Sequence, residues 1–497
     1  MDRELFEHYL GDESRRGPVP GDAFTGAAGG AACGDLSRLS LTIAGGVIDS
    51  VSFDTEGCGA TAAATAAVAE AIEGASVLDA ARMSVEDAAD LLGGLDPAKR
   101  HAAQLATDAL HRALGAAASS PTELSATPAA GTRVAVAVSG GVDSAVAALL
   151  AREQGADVVT VTVKLWADPE TDGAKACCSP EAVLGARGVA HSLGLPHLTL
   201  DLEEEFRRRV VDRFIAGYAE GRTPNPCVLC NGEVRLAAMV DLAERLGAGR
   251  LLTGHYARIV EDDGGPLLAA GADPAKDQSY MLATLPPDLL GRLGFPLTEL
   301  TKAEVREIAE RHGLPVARRA ESQDLCFLAG QGKRRFLRRH GGLADREGDV
   351  IDRRGRRLGR HRGHHNFTVG QRRGTGVSIN EPAYVIATDA AANTVTIGTR
   401  AELETRSIRI RDALLHRDGA RVDGVRLRYH SRALPAAVGT AAGRGNGAGD
   451  GMEAPAAGRH AALEIELGEP VAGAAPGQTA VLLAGDTVVG HGTIAAA

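Results

Sequence analysis

The stretch Ser139-Gly-Gly-Val-Asp143-Ser144 has the residue types of a phosphate-binding loop. Its two glycines let the backbone wrap closely around an anion, and its serines add hydroxyl donors. A negatively charged Asp143 would repel a phosphate, so we expect it to act through Mg²⁺. An ordinary glycine turn is the structural alternative. The loop differs from a Walker A loop because no Gly-Lys-Ser/Thr ending is present.

A basic band from Lys333 to Arg373 is a second candidate for anion binding. Residues 331–373 contain 14 Lys and Arg against 4 Asp and Glu, whereas the whole chain carries a net charge of −10. This local excess favours a polyanionic partner held through its phosphates. A solvated, arginine-rich surface would give the same count. The band contains few aromatic residues, which argues against base stacking.

The composition is that of a globular protein with several domains. The chain has 497 residues, of which 44% are hydrophobic and 24% charged; at about 150 residues per domain this predicts about three domains. No apolar run approaches the roughly 20 residues of a membrane helix, and the first residues lack the order of a signal peptide. Seven cysteines are too few for a disulfide framework and favour a reducing cytoplasm.

The phosphate loop needs a strand before it and a helix after it, and the sequence supplies both. Arg133–Val138 alternates like a strand, and 145–154 is predicted to be helical. Thr301 and Glu304 form a capping-box pattern that opens a later helix. The alternation continues in predicted strands at 157–163, 197–201 and 250–253 and in predicted helices at 180–193 and 203–220. Such alternation predicts an α/β domain with a parallel sheet.

The predicted helices stop near residue 341, and short β-type runs follow, which indicates small β-barrel domains. Residues 116–131 are small and polar and contain proline, as in a linker. Residues 440–458 are rich in Gly and Ala and are predicted to be a loop. The predicted domains are an N-terminal domain 1–115, the linker 116–131, the α/β domain 132–340, a central β domain 341–405 and a C-terminal β-barrel domain 406–497.

The phosphate loop resembles that of the PP-loop ATP pyrophosphatases, which adenylate a substrate oxygen and release pyrophosphate. Five further motifs make residues 132–497 resemble the tRNA-specific 2-thiouridylases. These motifs begin at Gly221 (GRTPNPCVLCN), Thr253 (TGHYAR), Lys276 (KDQSY), Ser322 (SQDLCF) and Gly370 (GQRRG). The resemblance implies thiolation of the wobble uridine of tRNA at C2, with ATP and Mg²⁺ as cofactors.

The same resemblance implies that Cys230 and Cys326 are the catalytic pair. In the family's scheme, Cys326 carries a persulfide whose terminal sulfur attacks the adenylated C2. Cys230 then attacks the persulfide to free that sulfur, which leaves a disulfide. A persulfide suits this step because it is a nucleophile at neutral pH.

Cys227 departs from the commonest family pattern, which has Asp at this position. Together with Cys230 and Cys326 it gives three thiolates. They allow a [4Fe–4S] cluster with one iron open to hydrosulfide. Persulfide chemistry without a metal is the second alternative. Zinc or inert thiols are the third, although a structural zinc site usually has four protein ligands.

The resemblance also implies the binding sites for ATP and tRNA. The implied ATP site consists of Ala137, Val138, Ser139, Gly140, Gly141, Val142, Asp143, Ser144, Val163 and Gly254. Asn225, Pro226 and Cys227 would face the target base. The implied tRNA contacts are His255, Lys276, Asp277, Gln278, Arg428, Tyr429 and Gln478.

The first 115 residues resemble a different family, the U-type (NifU-like) iron–sulfur scaffolds, which implies a small α+β domain. The matching residues are Cys33, Asp35, Cys58 and His101, a ligand set suited to Zn²⁺ or a cluster. Ala102 replaces the family's last cysteine, the usual persulfide acceptor, which puts assembly activity in doubt. Such a domain would place a cluster or sulfur source beside the thiolation site, or would merely recruit a cysteine desulfurase.

Two other functions compete with thiolation. The first is a PP-loop ligase that uses ammonia, but the three cysteines and the absence of a glutaminase domain argue against it. The second is an iron–sulfur carrier with a vestigial PP-loop, but the intact loop Ser139–Ser144 argues against that. The sequence therefore predicts a cytoplasmic tRNA sulfurtransferase that has no membrane contact and is supplied by a cysteine desulfurase or another sulfur donor.

Overall fold

The computed structural model describes residues 2–30, 34–122, 124, 132–168, 180–319, 325–328, 330–377, 381–440 and 453–496. The predicted ligand Cys33 and most of the predicted loop 440–458 lie outside the described residues. Within them, no helix combines the length and the apolar character needed to cross a membrane.

The N-terminal domain packs helices against an antiparallel sheet of three strands in the order β1-β2-β3. Its elements are α1 (Arg3–Leu10), β1 (Phe24–Gly29), β2 (Leu36–Ala44), β3 (Val47–Glu56), α2 (Gly59–Ile72), α3 (Val77–Ala80), α4 (Val85–Asp90) and α5 (Arg100–Ala118). Ten of the 14 residues of the alanine-rich helix α2 are buried. Helix α5 approaches β1 so closely that a Cβ on Gly26 would lie 2.1 Å from the Ala109 oxygen, which only glycine avoids.

The next domain is built on a parallel five-stranded sheet in the order β10-β7-β4-β5-β6. Its elements are β4 (Arg133–Ala137), α6 (Val142–Glu153), β5 (Asp157–Lys164), α7 (Pro180–Ser192), β6 (His197–Asp201), α8 (Glu203–Phe206), α9 (Asp212–Ala219), α10 (Pro226–Cys230), α11 (Leu236–Arg245), β7 (Arg250–Thr253), β8 (Ala257–Asp262), β9 (Gly265–Ala270), α12 (Ser279–Leu282), α13 (Pro287–Leu290), β10 (Leu293–Gly294), α14 (Lys302–Arg311) and α15 (Lys333–Gly341). The predicted strands and their order of alternation with helices are confirmed. The predicted helix 203–220 differs in one respect, because a π-helical turn at Arg207–Val211 joins α8 to α9.

The C-terminal part is all-β apart from short helical turns. Its elements are β11 (Gly348–Ile351), β12 (Arg357–His361), β13 (Tyr384–Asp389), β14 (Thr394–Gly398), α16 (Arg400–Leu403), β15 (Glu404–Leu415), β16 (Gly424–Arg426), β17 (Leu434–Gly439), β18 (Gly458–Ala472), β19 (Thr479–Ala484) and β20 (Thr487–Ile494). Strands β11 to β14 form a four-stranded sheet. Strands β15 to β20 form a six-stranded barrel, which closes where β20 pairs with β15.

The barrel is tied to the α/β domain by a shared sheet. The hairpin β8–β9 leaves the α/β domain and pairs with β20 through Leu268 and Val488. The predicted fold class is thus confirmed: an α+β domain, an α/β domain with a parallel sheet, and small β domains that end in a barrel. The sharing of a sheet between two domains was not predicted.

Candidate functional site

The phosphate loop leaves the carboxyl end of β4 and enters α6. Gly140 has a φ of +71°, a left-handed conformation that favours glycine. The Ser139 amide donates to Ser144 Oγ at 3.1 Å, and Ser144 Oγ donates to the Gly141 carbonyl at 3.1 Å. These bonds fold the loop over the first turn of α6, whose amides are oriented to bind an anion.

Neighbouring strands fix the two sides of this loop. The Thr162 hydroxyl of β5 donates to the Val138 carbonyl at 2.7 Å. On the other side, a Cβ on Gly254 would lie 2.7 Å from the Ser144 nitrogen, so glycine is required for this close approach. Val163 is buried near the carboxyl end of β5. The structure therefore brings the predicted ATP-site residues together at the carboxyl edge of the sheet.

Asp143 is held by two residues that the sequence analysis missed. Lys302 Nζ lies 2.7 Å from each carboxylate oxygen, and the Tyr256 hydroxyl donates to Oδ1 at 2.7 Å. The Thr301–Glu304 capping box confirms the predicted start of α14. It gives no signal for the role of Lys302, because pairing with Asp143 spans 159 residues of chain.

The Asp143 carboxylate is suited to be the one protein ligand of a Mg²⁺ ion. Carboxylate oxygens have several lone pairs, and Lys302 and Tyr256 do not use all of them. Magnesium at ATP sites is commonly held by one or two carboxylates together with phosphate oxygens. Arg319, a further residue that the sequence analysis missed, donates to the Gly140 carbonyl at 2.9 Å and steadies the loop.

Helix α10 carries two of the predicted catalytic cysteines. Asn225 caps it, because its side-chain oxygen accepts from the Cys227 amide at 3.2 Å and from the Val228 amide at 3.3 Å. Pro226 occupies the first helical position, where its missing N–H costs nothing. Cys227 is partly exposed, whereas Cys230 is only 8% exposed. A π-helical turn follows at once, a feature that is frequent at functional sites.

Cys326 lies in a short turn whose next residue anchors it to the core. The Phe327 ring packs edge-on against three aromatic rings, at centroid distances of 5.9, 5.1 and 5.0 Å from Phe206, Phe214 and Phe336. Cys230 belongs to the same hydrophobic core, and Cys326 packs against it. No disulfide joins Cys227, Cys230 or Cys326. The disulfide predicted as a product of sulfur release stays a prediction.

The three cysteines do not form a compact site for one ion. Two sulfurs on one zinc ion lie at most about 4.6 Å apart, because each Zn–S bond is about 2.3 Å. Among the described residues, Cys227, Cys230 and Cys326 are absent from the groups whose ligand atoms lie within 4.8 Å of one another. This arrangement does not favour the zinc alternative. A [4Fe–4S] cluster is larger than a single ion and takes thiolate ligands, so the donor set still fits it.

The C-terminal barrel positions the loop before α10. Gln478 Nε2 donates to the Thr223 carbonyl at 2.7 Å, and the Thr223 amide donates to the Pro476 carbonyl at 2.7 Å. The Tyr429 ring lies 6.3 Å from the Tyr280 ring. Gln478, a predicted tRNA contact, therefore lies against the segment that leads to Cys227, and Tyr429, another, lies beside Tyr280. Arg428, beside them, is exposed.

Three other predicted tRNA contacts have partners within the protein. Arg235 donates to His255 Nε2 at 3.0 Å, so the ring proton is on Nδ1 and is donated to Thr253 Oγ1 at 2.8 Å. Burial and then the charge of Arg235 lower the pKa of His255 to about 3, so the ring is neutral.

The side chains of Asp277 and Gln278 also have partners within the protein. Asp277 is 7% exposed and forms an ion pair with Arg426 of the barrel. The Gln278 side chain accepts from the Tyr256 amide at 3.0 Å. Lys276 is partly exposed. Contacts of these residues with tRNA stay predictions.

The basic band divides into paired and unpaired arginines. Arg356, Arg357 and Arg360 lie 3.1, 3.1 and 2.8 Å from carboxylates of the same small domain. Arg335 and Arg338 of α15 are exposed, and neither forms an ion pair with any described residue.

Lys333, the first residue of the band, turns towards the protein interior. Its Nζ lies 4.2 Å from the centroid of the Tyr218 ring, and burial lowers its pKa to about 8. It is therefore less available to a phosphate than the arginines that follow it.

Asp35, Cys58 and His101 form a compact ligand group in the N-terminal domain. Their ligand atoms all lie within 4.8 Å of one another, and no other group of three or more such side chains is this compact among the described residues. Cys58 Sγ and His101 Nε2 lie 3.1 and 3.2 Å from Asp35 Oδ2. We call these three residues the N-terminal triad. Thiolate, imidazole and carboxylate are suitable ligands for Zn²⁺, so the residues present fit such an ion.

The loop before α2 is shaped around Asp35. A Cβ on Gly57 would lie 2.0 Å from Asp35 Oδ1, so only glycine fits there. Burial alone would raise the pKa of Asp35. Hydrogen bonds from Thr61, Cys58 and His101 outweigh burial and lower the pKa to about 2. Asp35 is thus a carboxylate at neutral pH, ready to bind a cation. Ala102, beside His101, is fully buried.

Four family models match the chain in sequence order. They are the NifU-like N terminal domain at residues 3–121, the tRNA methyl transferase HUP domain at 132–330, the tRNA methyl transferase PRC-barrel domain at 334–399 and the aminomethyltransferase beta-barrel domain at 453–494.

Curated proteins are similar to this chain over nearly their own whole length. The bifunctional protein NifU/MnmA of Rubrobacter xylanophilus is 44% identical over 99% of this chain and 98% of that protein. The tRNA-specific 2-thiouridylase MnmA of Sorangium cellulosum is 43% identical over 74% of this chain and 94% of that protein. The one from Moorella thermoacetica is 42% identical over 72% and 98%. The chain therefore belongs to the bifunctional NifU/MnmA family, with a NifU-like domain ahead of the part that it shares with the tRNA-specific 2-thiouridylases.

Proposed function

We propose that the protein is an ATP-dependent tRNA 2-thiouridylase. It adenylates the C2 oxygen of the wobble uridine, releases pyrophosphate and replaces the activated oxygen with sulfur. The observation that carries this proposal is that the phosphate loop and the cysteine helix α10 lie at the same edge of one sheet. The phosphate loop follows β4 there. The cysteine helix α10 lies nearby, because Arg235, in the turn after it, contacts His255, which follows β7.

The adenylation step uses the phosphate loop. Backbone amides of the loop and of α6 bind the ATP phosphates while the C2 oxygen attacks the α-phosphorus and pyrophosphate leaves. Mg²⁺ bound by Asp143 would neutralise charge on the phosphates. Lys302 Nζ, 2.7 Å from the Asp143 carboxylate, adds a second positive charge beside the same phosphates.

The sulfur step uses the cysteines. The terminal sulfur of a Cys326 persulfide bonds to C2. Cys230 then attacks Cys326 Sγ, so that a disulfide forms, the sulfur stays on C2 and AMP leaves. Cys227, Cys230 and Cys326 are alternatively the three ligands of a [4Fe–4S] cluster, which would supply an iron open to a sulfur donor.

The tRNA binds across the α/β domain and the C-terminal part. Asn225, Pro226 and Cys227 face the target base, and Arg428, Tyr429 and Gln478 contact the tRNA from the barrel side. The exposed and unpaired Arg335 and Arg338 contact the phosphates.

A second function, metal or cluster binding, is favoured for the N-terminal domain by the compact triad. This function does not compete with thiolation, because it uses a different domain. A cysteine desulfurase or another sulfur donor is the partner that either cysteine chemistry needs.

Replacement of Asp143 tests the adenylation step. We expect Asp143→Ala to abolish tRNA-dependent pyrophosphate release, because the link between Mg²⁺ and the phosphates is lost. Its affinity for tRNA, measured by filter binding, should stay close to that of the wild type. Asp263→Ala, which removes an exposed carboxylate of the same domain, is the matched control. Unchanged pyrophosphate release from Asp143→Ala would refute the assignment.

A further inference from the structure

Helix α5 of the N-terminal domain runs beside the edge strand β6 and in the same direction. At one end, the His197 amide donates to the Ala81 carbonyl at 3.0 Å, and the His111 ring lies 5.2 Å from the His191 ring of α7. At the other end, the Asp201 amide donates to Ser119 Oγ at 3.0 Å. The end of α5 is therefore level with the carboxyl end of β6.

This direction separates the N-terminal triad from the phosphate loop. His101 lies at the start of α5, and 18 residues of helix put it about 27 Å from Ser119 along the axis. Because β6 is parallel to β5 and β5 to β4, the phosphate loop and the cysteine helix lie at the edge that Ser119 marks. The triad extends beyond the opposite edge. The expectation that the N-terminal domain places a sulfur source beside the thiolation site is not met in this orientation.

Polar contacts hold this orientation along the whole interface. Arg187 of α7 forms an ion pair with Asp108 of α5. Arg82 donates to the Gly194 carbonyl at 2.8 Å, and Arg245 donates to the Ala118 carbonyl at 2.6 Å. An N-terminal domain that carried its triad to the other edge would have to break all of these contacts.

We propose that the N-terminal triad of one chain supplies sulfur to Cys326 of a second copy of the chain. This inference rests on the proposed function. The triad is open to such a partner, because Cys58 is exposed and the His101 side chain is 41% exposed. A second copy is the natural acceptor, since every chain carries both sites and cannot join its own two sites in this orientation.

Cys58 is the residue that carries the sulfur. It immediately precedes the first turn of α2, and its side chain is exposed. A cysteine desulfurase places a sulfane sulfur on Cys58. The Cys326 thiolate of the second chain attacks the outer sulfur, so that one S–S bond forms and the S–S bond on Cys58 breaks. Cys58 leaves as a thiolate and takes a proton from water, and the exchange needs no oxidant or reductant.

A mixing experiment tests the transfer between chains. Cys58→Ser lacks the carrier, and Cys326→Ser lacks the acceptor. Each variant alone, and their equimolar mixture, receive tRNA, ATP, a cysteine desulfurase and radiolabelled cysteine. We expect the mixture to label tRNA about tenfold faster than Cys58→Ser alone, because each variant supplies what the other lacks. A mixture no faster than Cys58→Ser alone, or a Cys58→Ser variant as fast as the wild type, overturns the proposal.

A measurement on the wild type covers the case in which a variant fails to fold. Transfer between chains makes the labelling rate per chain rise with protein concentration until the chains are associated, whereas transfer within a chain makes it constant at every concentration. A constant rate, with the protein monomeric by sedimentation throughout, overturns the proposal. Pyrophosphate release by the wild type with tRNA is recorded in parallel. If it occurs, the proposed function stands whatever the mixture shows.

Discussion

The two cysteine regions of this molecule are built in opposite ways. The N-terminal triad is compact, with three ligand atoms within 4.8 Å of one another and an exposed thiol. The cysteines of the α/β domain are spread over a helix and a distant turn, and Cys230 is only 8% exposed. The first arrangement suits the holding of an ion or the presentation of sulfur to a partner. The second arrangement suits chemistry on a substrate that covers the cysteines when it binds.

The carboxylates of the two regions, Asp35 and Asp143, also differ in their partners. Asp35 accepts hydrogen bonds from Thr61, Cys58 and His101, which lower its pKa to about 2, so it is a carboxylate at neutral pH. Asp143 already has Lys302 at 2.7 Å. The phosphate loop thus holds a carboxylate that is already paired with an ammonium group, whereas the N-terminal triad presents a carboxylate with thiol and imidazole neighbours.

The largest expected effect is on the cysteines of the α/β domain, where Cys227→Asp distinguishes a cluster from a persulfide. If the three cysteines hold a cluster, Cys227→Asp loses the iron and most thiolation, because carboxylate is a harder ligand than thiolate and binds iron–sulfur centres less well. If Cys326 instead carries a persulfide, only Cys230 and Cys326 are required and the variant keeps most of its activity. Adenylation through the phosphate loop should persist. Iron analysis and thiolation assays on anaerobically purified protein measure both effects. Thiolation at nearly the wild-type rate without iron would instead establish the persulfide scheme.

A smaller effect is expected in tRNA binding, which we propose to involve the α/β domain and the C-terminal part and not the N-terminal domain. Reversal of Arg335 and Arg338 to Glu should weaken tRNA affinity and reduce the slope of log affinity against log salt by about one for each phosphate that the protein no longer binds. The matched control is the reversal of Arg356, Arg357 and Arg360, each of which already has an acidic partner. If the slope fell further in the control than in the test variant, the assignment of phosphate binding to α15 would be wrong.

The smallest effect concerns the stability of the N-terminal domain in acid. The pKa of Asp35 is lower in the folded state than its unfolded value of about 3.9, so its contribution of about 2 kcal/mol is complete above about pH 4 and is lost as the pH falls towards 2. Asp35→Asn should therefore make the free energy of unfolding depend less steeply on pH in this window. Urea titrations between pH 2 and 5 measure it, with the exposed Asp49→Asn as control. Equal slopes in both variants would contradict the role given to Asp35.

Local patterns in the sequence predicted much of the fold. The strand before the phosphate loop, the helix after it and the alternation that follows are confirmed, because each depends on a short run of side chains. The shared sheet of β9 and β20 was missed, since pairing between Leu268 and Val488 leaves no periodic signal in either segment.

The parts of the site that sequence reasoning missed are contacts between distant residues. Lys302 and Arg319 touch the phosphate loop across 159 and 179 residues of chain. The direction of α5 along β6 depends on the packing of two complete domains. Only this direction shows that the N-terminal triad and the phosphate loop lie at opposite ends of the sheet.

A single-turnover experiment shows whether adenylation and sulfur transfer to tRNA are coupled in this protein. Anaerobically purified protein in excess over tRNA receives ATP, a cysteine desulfurase and radiolabelled cysteine, and pyrophosphate and tRNA-bound sulfur are followed together. We expect the two to appear in equal amounts, neither to appear without tRNA, and mass spectrometry to place the sulfur on the wobble uridine. Pyrophosphate release without any sulfur in tRNA, or release that requires ammonia, would contradict this expectation.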